Sequence, residues 1–251
     1  MILILGGTSD GRKLGRFLMA NGYNVLITTV SEYGKNLVDK DEAAEVVMGP
    51  LTENSLQEII KTYQVSHLID ATHPYAQVIS QLARTVAASI PIPYIRYQRP
   101  TTDYCAHPLI RKVPDLDAAL RMAGSLGENI FCTLGVKMLS QVKSHPALQG
   151  KRLIVRVLPE VNSLKYCSEL GLKPPDIVAM QGPFSHELNR ALFEHYQSHV
   201  LLTKDSGTAG GTDTNLSAAL DLGIYVIMLP RPDKNKGIVC HDFSTILDHL
   251  A

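Results

Sequence analysis

The sequence contains no tryptophan, only five phenylalanines and only four cysteines among its 251 residues. The cysteines are far apart along the chain and form no CxxC pair, which argues against a disulfide framework and against a thiolate metal site. We therefore expect reduced thiols in a cytoplasmic protein. The four residues are Cys105, Cys132, Cys167 and Cys240.

An excess of charge of either sign is also missing, because 24 Lys and Arg residues balance 24 Asp and Glu residues. Proteins that bind nucleic acid along an extended surface normally carry a basic excess, so we expect no nucleic-acid partner. The apolar run over residues 1–5 has no basic segment before it and does not have the pattern of a signal peptide. No apolar run approaches the roughly 18 residues of a membrane helix, so we expect no membrane association.

Short apolar runs alternate with helical periodicity along almost the whole chain. In the first helical pattern Leu14, Phe17 and Leu18 share one face, and Gly22 ends the helix. Repeated alternation of strand and helix is typical of parallel sheets with helices on both faces, so we predict an α/β fold. The predicted strands cover residues 2–5, 25–29, 45–48, 67–70, 94–97, 109–113, 130–134, 153–157, 177–180, 200–204 and 225–229.

These eleven predicted strands are many for one open sheet in a chain of this length. A proline-rich passage, SIPIPYIRYQRPTTDYCAHP, separates the first five from the other six. We therefore predict two Rossmann-like domains with an active-site cleft between them. The N-terminal domain, over residues 1–97, would bind a dinucleotide, and the C-terminal α/β domain, over residues 98–251, would bind the substrate.

The segment LGGTSDG, at the end of the first predicted strand, combines glycines with hydroxyl side chains. At the start of a helix free backbone N–H groups attract an anion, and glycine lets a phosphate approach the backbone closely. The spacing G-G-x-x-x-G differs from the usual G-x-G-x-x-G, and a tight turn without a ligand is the alternative. We predict that cofactor phosphates bind at Gly6, Gly7, Thr8, Ser9 and Gly11.

The end of the second predicted strand bears on the choice of cofactor. An NAD site places an acidic residue roughly 20 residues after the glycines, where it binds the ribose hydroxyls. Glu32 lies near that distance but beyond the strand, whereas Thr29 and Ser31, with Lys35 nearby, would suit the 2′-phosphate of NADPH. We assign Thr29 and Ser31 to the cofactor, and NADPH and NADH both stay open.

A second loop of the same kind, TKDSGTAGGTDTN, follows the strand predicted over residues 200–204. Lys204 would stand at the carboxyl edge of the sheet, where α/β proteins place ligand contacts; a solvated lysine is the alternative. No G-x-S-x-G motif surrounds Ser206, which argues against a nucleophilic serine. We predict catalytic roles for Lys204 and Asp205 and substrate binding by Ser206 and Gly207.

Polar side chains follow several other predicted strands at the same edge. His73 follows the fourth strand in IDATHPYA, and Arg96 and Arg99 lie near the domain junction in YIRYQRP. Each has an ordinary structural alternative, such as an ion pair for Arg96, but their common position favours a binding edge. We predict a catalytic role for His73 and substrate-binding roles for Arg96, Arg99, Lys137 (in CTLGVK) and Arg156 (in VRVLPE).

His195 and His199 are four residues apart, a spacing that can bind a metal ion on a helix. The predicted helix ends before His199, because a strand begins at residue 200, and no third ligand is evident. We therefore predict no metal bound by the protein itself.

Several motifs of the chain, in this order, resemble those of the precorrin-6A reductases of cobalamin biosynthesis, including the enzymes that act on the cobalt-containing substrate. The chain departs from the resemblance at Thr214 and Asn215, where the family often has an acid and a lysine. The motifs cover nearly the whole chain and are LILGGTSDGRKL, IDATHPYA, YIRYQRP, MQGPFSHELN and LLTKDSGTAGGTDTNLSAALDLGIYVIMLPRP.

The resemblance implies an oxidoreductase that binds NADPH or NADH at the first glycine loop and a macrocyclic tetrapyrrole in the cleft. It implies reduction of one carbon–carbon double bond, which converts (cobalt-)precorrin-6A into (cobalt-)precorrin-6B. The acetate and propionate groups make this macrocycle anionic, which suits the predicted basic contacts. Lys204 could deliver the proton or balance charge, and we expect a monomer or a small homo-oligomer.

Two other functions stay open. A reductase of a smaller carbonyl substrate is disfavoured, because no Tyr-x-x-x-Lys pair is placed to polarise a carbonyl. A two-domain protein that binds a small molecule without chemistry is the other alternative, since two α/β halves would serve that purpose as well.

Overall fold

A computed structural model describes residues 1–30, 32–39, 45–99, 107–205, 212–231 and 237–250 of the chain. Within these ranges, strands β1 to β12 are, in chain order, Ile2–Leu5, Val25–Thr29, Glu45–Met48, His67–Asp70, Tyr94–Tyr97, Ile110–Lys112, Asn129–Cys132, Arg152–Val157, Ile177–Ala179, Val200–Lys204, Tyr225–Leu229 and Ile238–Cys240. Helices α1 to α10 are Ser9–Ala20, Glu32–Asp39, Glu53–Thr62, Gln77–Ser89, Leu116–Leu126, Val136–Ser144, Val161–Glu169, His186–His195, Thr212–Asp221 and Phe243–Asp248.

The chain divides into two compact units, each built on its own parallel sheet. The first unit comprises Met1–Pro100 together with Pro232–Ala251, and the second comprises Thr101–Arg231. Within the described residues each sheet has six strands. The predicted α/β class with parallel sheets flanked by helices is confirmed.

The sheet of the first unit has the strand order β12-β5-β4-β1-β2-β3, and every neighbouring pair is parallel. From β1 the chain builds outward through β2 and β3, then returns to place β4 on the other side of β1. This reversal is the switch point of a Rossmann-type sheet, where the loops after β1 and β4 diverge and ligands bind at the carboxyl edge. The glycine loop follows β1, so it lies at this switch point.

Strand β1 is buried on both faces, as the continuous apolar run ILIL requires in a covered parallel sheet. Ile2 and Ile4 belong to a core that includes Leu14 and Leu18 of α1. Leu3 and Leu5 point to the opposite core, which α3 and α4 cover.

The sheet of the second unit repeats this arrangement in the order β6-β11-β10-β7-β8-β9, again all parallel. Its switch point lies between β7 and β10. Ile130 and Cys132 of β7 face one core, whereas Phe131 faces the other and packs edge-on against Phe193 of α8. The carboxyl ends of β7 and β10 therefore stand side by side, as those of β1 and β4 do in the first unit.

The last segment of the chain differs from the prediction that assigned residues 98–251 to one C-terminal domain. Strand β12 pairs with β5 in the first sheet, with Ile238 opposite Ile95 and Cys240 opposite Tyr97. Ile246 of α10 is buried in the core of the same unit. A strand of three residues is too short for a periodic signal, and its partner lies more than a hundred residues earlier, so local pattern could not assign it.

In the described part of the chain no helix is long and apolar enough to cross a bilayer. The same residues contain no group of three or more His, Cys, Asp or Glu side chains placed to hold a metal ion.

Candidate functional site

The glycines after β1 allow helix α1 to pack closely against the sheet. A Cβ atom on Gly6 would lie 2.7 Å from Cγ2 of Ile27 and 2.8 Å from the carbonyl oxygen of Thr28. A Cβ on Gly11 would lie 3.1 Å from Cα of Gly6. Gly6 and Gly11 are therefore required by internal packing, whatever else the loop does.

Gly7 is different, because its φ is +93° and a Cβ at this position would meet no atom within 4 Å. Gly7 is exposed, and it directly precedes Thr8, the N-cap of α1. The backbone N–H groups of residues 7–10 donate no hydrogen bond to any described residue. An open backbone with free donors at a helix N-terminus is the arrangement that binds a phosphate.

Thr8 joins the glycine loop to the end of β4. Its Oγ1 accepts a hydrogen bond from the amide of Gly11 at 3.1 Å and donates one to the carbonyl of Ala71 at 3.0 Å. The Thr8 hydroxyl is thus already used to cap α1 and to hold the two loops of the switch point together. Ser9, which is half-buried, is the remaining hydroxyl of the predicted cofactor set in this loop.

Arg99 forms a buried ion pair with Asp10, an acid in the first turn of α1. The Nη2–Oδ2 distance is 2.5 Å, and both side chains are 9% exposed. The guanidinium compensates a carboxylate that would otherwise repel an anion at this helix N-terminus. The structure therefore places Arg99, predicted to bind substrate, in the support of the glycine loop.

Arg96 is likewise engaged inside the first unit. Its guanidinium lies 2.5 Å from Oδ1 of Asp70 and donates to the hydroxyl and the carbonyl of Thr72, each at 3.0 Å. Burial alone would raise the pKa of Asp70, but Arg96 and the hydrogen bonds from Ser80 and Thr72 lower it below its ordinary value. This network fixes the start of the loop after β4.

His73 lies in that loop, half-buried, one residue beyond Thr72. Its Nδ1 accepts a hydrogen bond from the amide of Tyr75 at 3.3 Å, which favours the tautomer that carries the proton on Nε2. His73 follows β4 and the glycine loop follows β1, so both lie at the carboxyl edge of the same parallel sheet, as predicted from their positions after strands.

At the end of β2, Thr29 is buried, and its carbonyl accepts a hydrogen bond from Gly49 at 2.8 Å. Val30 follows with 75% of its surface exposed, and Glu32 and Lys35 are exposed on α2. Ser31, the other residue predicted here for the cofactor, lies outside the described residues.

In the second unit Lys204 bridges the switch point. Its Nζ donates a hydrogen bond to the carbonyl of Leu134, in the loop after β7, at 2.9 Å. Burial lowers the pKa of Lys204, and the nearby charge of Lys137 adds to the effect. Lys137 is exposed in the first turn of α6, and Gly135, which precedes that helix, has a φ of +79°. Two amines thus stand at one helix N-terminus.

Asp205 is buried and faces Arg231, with its Oδ1 at 3.3 Å from Nη2 of the arginine. The Arg231 Nε also donates to the Asp205 carbonyl at 3.3 Å, so the predicted catalytic acid is held by a structural pair. Ser206 and Gly207 lie outside the described residues. Asp213, in the first turn of α9, has one buried carboxylate oxygen without a hydrogen bond to any described residue, and burial raises the pKa of this group.

Arg156 of β8 is a further residue of the second unit that was predicted to bind substrate, and it is 8% exposed. Its guanidinium donates to the side-chain oxygens of Asn189 and Asn215 and lies 4.3 Å from the centre of the Phe184 ring. Sequence reasoning missed these three partners. The polar positions near the starts of α8 and α9 were a signal, but only the fold shows that both helices turn them toward β8.

Large exposed apolar side chains are concentrated at the carboxyl edges. Eight large apolar side chains are exposed among the described residues. Seven of them lie at the last residue of a strand, in the loop after it, or within the first four residues of the following helix. An apolar ligand surface at these edges would explain the concentration. The seven are Val30, Met48, Val78, Leu158, Val161, Leu164 and Leu188, and Ile238 is the exception.

Comparison with known proteins assigns the chain to a family. A family model described as precorrin-6x reductase CbiJ/CobK matches residues 1–251. The chain belongs to the precorrin-6x reductases. Membership confirms the predicted resemblance, and this reductase family of cobalamin biosynthesis implies a nicotinamide cofactor. The open amides after β1 fit the phosphates of such a cofactor.

Named relatives extend over almost the full chain. A cobalt-precorrin-6A reductase of Priestia megaterium is 35% identical and is matched over 100% of this chain and 98% of its own length. A cobalt-precorrin-6A reductase of Salmonella typhimurium is 33% identical over 92% of this chain and 87% of its own. A precorrin-6A reductase of Rhodococcus erythropolis is 30% identical over 92% and 89%.

A solved structure of a CobK precorrin-6A reductase has the same fold. It superposes with a TM-score of 0.77 over 99% of this chain and 95% of its own, at 24% sequence identity. The two chains therefore share their overall fold.

Proposed function

We propose that the protein reduces (cobalt-)precorrin-6A to (cobalt-)precorrin-6B with NADPH, or with NADH, as the source of hydride. The observation that carries the proposal is the open glycine loop at the first switch point, in a chain that matches a reductase family along its whole length. Relatives 33–35% identical are named for the cobalt-containing substrate, so this form is our first choice.

The first unit binds the cofactor. Gly7 leaves room for the pyrophosphate, and the amides of residues 7–10 together with the Ser9 hydroxyl donate to it. When bound, the nicotinamide supplies hydride to one carbon of a ring double bond. Thr8 and Arg99 act indirectly, because Thr8 ties the loop to β4 and Arg99 neutralises Asp10.

The hydride would account for both electrons of the reduction, and the neighbouring carbon of the double bond must then gain a proton to leave a single bond. We assign the proton to Lys204, whose lowered pKa makes its ammonium a better acid near neutral pH. The Leu134 carbonyl holds Nζ in place at 2.9 Å. Asp205 and Arg231 fix the backbone that follows Lys204. For His73, at the edge of the first unit, we propose a role beside the cofactor.

The substrate carries acidic groups on an apolar ring system, and the edge of the second unit has side chains of both kinds. Lys137 offers a cationic group for carboxylates, and Ser206 and Gly207 are further candidates. Leu158 and Val161, exposed after β8, offer apolar surface. In the first unit, Arg96 and Arg99 act indirectly, because their ion pairs with Asp70 and Asp10 hold the loops at the edge of the sheet.

The deciding experiment mixes the protein with a reduced cofactor and either precorrin-6A or cobalt-precorrin-6A, and follows the absorbance of the reduced cofactor. We expect its loss only when the macrocycle is present, together with a product heavier by two hydrogens. Parallel reactions with NADPH and NADH identify the cofactor. A protein that binds the macrocycle without consuming either cofactor would contradict the proposal and support the binding-protein alternative.

A further inference from the structure

Arg156 is a buried cation with no carboxylate partner among the described residues. Each of the other buried arginines of the described chain faces an acid: Arg96 faces Asp70, Arg99 faces Asp10, and Arg231 faces Asp205. Arg156 instead donates to two neutral amide oxygens, with Nη1 at 2.7 Å from Asn189 and Nη2 at 2.8 Å from Asn215.

The Arg156 guanidinium also lies near the N-termini of two helices, where a positive charge is disfavoured. Asn189 is the fourth residue of α8, and Asn215 is the fourth residue of α9. The N-terminal turns of both helices carry partial positive charge, which attracts anions and repels a guanidinium. Burial lowers the pKa of Arg156 to about 10, so the side chain is still charged at neutral pH.

The hydrogen bonds around Arg156 hold it in one orientation. Asn189 Nδ2 donates to the carbonyl of Ser185 at 3.0 Å, which leaves its oxygen for the arginine. Thr214 Oγ1 donates to the carbonyl of Phe184 at 2.9 Å and so ties α9 to the loop that places the Phe184 ring over the guanidinium. A fixed guanidinium with neutral partners is prepared for an anion, because a buried charge of one sign is normally compensated.

We propose that Arg156 anchors a carboxylate of the substrate at the carboxyl edge of β8. This inference rests on the proposed function, which supplies a substrate rich in acetate and propionate groups. Leu158, two residues after Arg156 and just beyond the end of β8, is 49% exposed and offers apolar surface at the same strand end. Arg156 thus determines affinity for the acidic macrocycle, whereas Lys204 serves the proton transfer.

The first test replaces Arg156 with methionine and measures the KM for (cobalt-)precorrin-6A, kcat, and the dissociation constant of the reduced cofactor. We expect the KM to rise about tenfold to hundredfold, as for a lost hydrogen bond to a charged group, with the cofactor constant unchanged. Arg156→Lys should recover part of the loss. Arg152→Met is the matched control, since Arg152 lies on the same strand but is half-exposed and paired with Asp176. The KM of this variant for the macrocycle should not change.

The second test keeps Arg156 and replaces Asn215 with aspartate, which supplies a carboxylate of nearly the same shape. We expect this variant to melt at a higher temperature than the wild type, because the buried charge gains a partner. We also expect it to bind the macrocycle more weakly, because the anchor is already occupied. A purely structural arginine would give the higher melting temperature with unchanged substrate affinity, and that result would overturn the proposal.

Two further outcomes are decisive. A change in cofactor affinity alone, in either variant, would mean that Arg156 binds a cofactor phosphate and would overturn the assignment to the substrate. Failure of the wild type to oxidise the cofactor with either macrocycle would contradict the proposed function instead. In that case binding of the macrocycle to wild type and to Asn215→Asp, followed by its absorbance, still tests the anchor.

Discussion

Asp70 and Arg96 occupy paired register positions on the adjacent strands β4 and β5, and their side chains form a buried ion pair with a 2.5 Å contact. The same carboxylate accepts hydrogen bonds from the Thr72 hydroxyl at 2.6 Å and from the Tyr94 hydroxyl at 2.8 Å. The pair therefore fixes the strand end from which the loop beside the glycine loop departs.

Removal of the Asp70 charge should destabilise the first unit strongly. We expect Asp70→Asn to lower the free energy of unfolding by about 3–5 kcal/mol, because it leaves the Arg96 charge buried without its partner. Urea denaturation measures the loss. Glu194→Gln, which removes an exposed ion pair with Arg190, should cost less than about 1 kcal/mol. Equal losses in the two variants would contradict the assignment of Asp70 as a structural anchor.

The same carboxylate should contribute to acid denaturation. Because the folded pKa of Asp70 is lowered, its stabilisation is present above its unfolded pKa of about 4 and is lost as pH falls through the lower folded value. The Asp70→Asn variant has no carboxylate at this position, so its stability lacks this pH-dependent contribution. The difference in unfolding free energy between wild type and variant should therefore shrink below about pH 4. A difference that stays constant from neutral to acid pH would exclude this role.

A substitution of Gly7 tests cofactor binding separately from packing, because a Cβ at this position would meet no atom within 4 Å. Gly7→Ala should weaken binding of the reduced cofactor, because a Cβ would stand where the phosphate approaches the backbone. Gly22→Ala is the matched control: its φ is +85°, it is equally open, and it follows α1 at the other end of the helix. Both variants should lose a similar stability, roughly 1–2 kcal/mol, but cofactor fluorescence should show weaker binding only for Gly7→Ala.

Most of the secondary structure follows from sequence pattern. The strands over residues 2–5, 25–29, 67–70 and 94–97 have the predicted limits, because each has a short apolar or β-branched stretch bounded by polar, glycine or proline residues. Strand β12 was missed, since three residues give no period. The order of the strands within each sheet could not be predicted from local sequence either, because strand pairing depends on tertiary packing. Local pattern placed the basic residues near strand ends but could not distinguish Arg96, which faces an acid, from Arg156, which donates to two asparagines.

The cysteines should be unreactive in the folded protein. Cys132, Cys167 and Cys240 are buried, and burial raises the pKa of Cys132 to about 11. In a Cys105→Ser variant, we expect no thiol to react quickly with an aromatic disulfide reagent under native conditions, whereas all three remaining thiols of the four should react in guanidinium. A rapid native reaction would show that one of these three is accessible.

Lys204 should control turnover more than binding. Lys204→Met removes the proposed acid, and we expect kcat to fall about 10²–10⁴-fold, the usual contribution of a positioned acid, with little change in cofactor affinity. Lys143→Met, an exposed lysine in the last turn of α6, is the control and should leave kcat unchanged.

The pH profile distinguishes proton delivery from charge balance. Burial lowers the pKa of Lys204, so a rate that depends on its ammonium should fall as pH rises through that pKa. Lys204→Arg keeps the positive charge but gives up no proton in the accessible range, since the guanidinium stays protonated. An arginine variant with near wild-type kcat and a flat alkaline limb means that charge alone suffices and that solvent supplies the proton. An arginine variant as slow as the methionine variant identifies Lys204 as the acid.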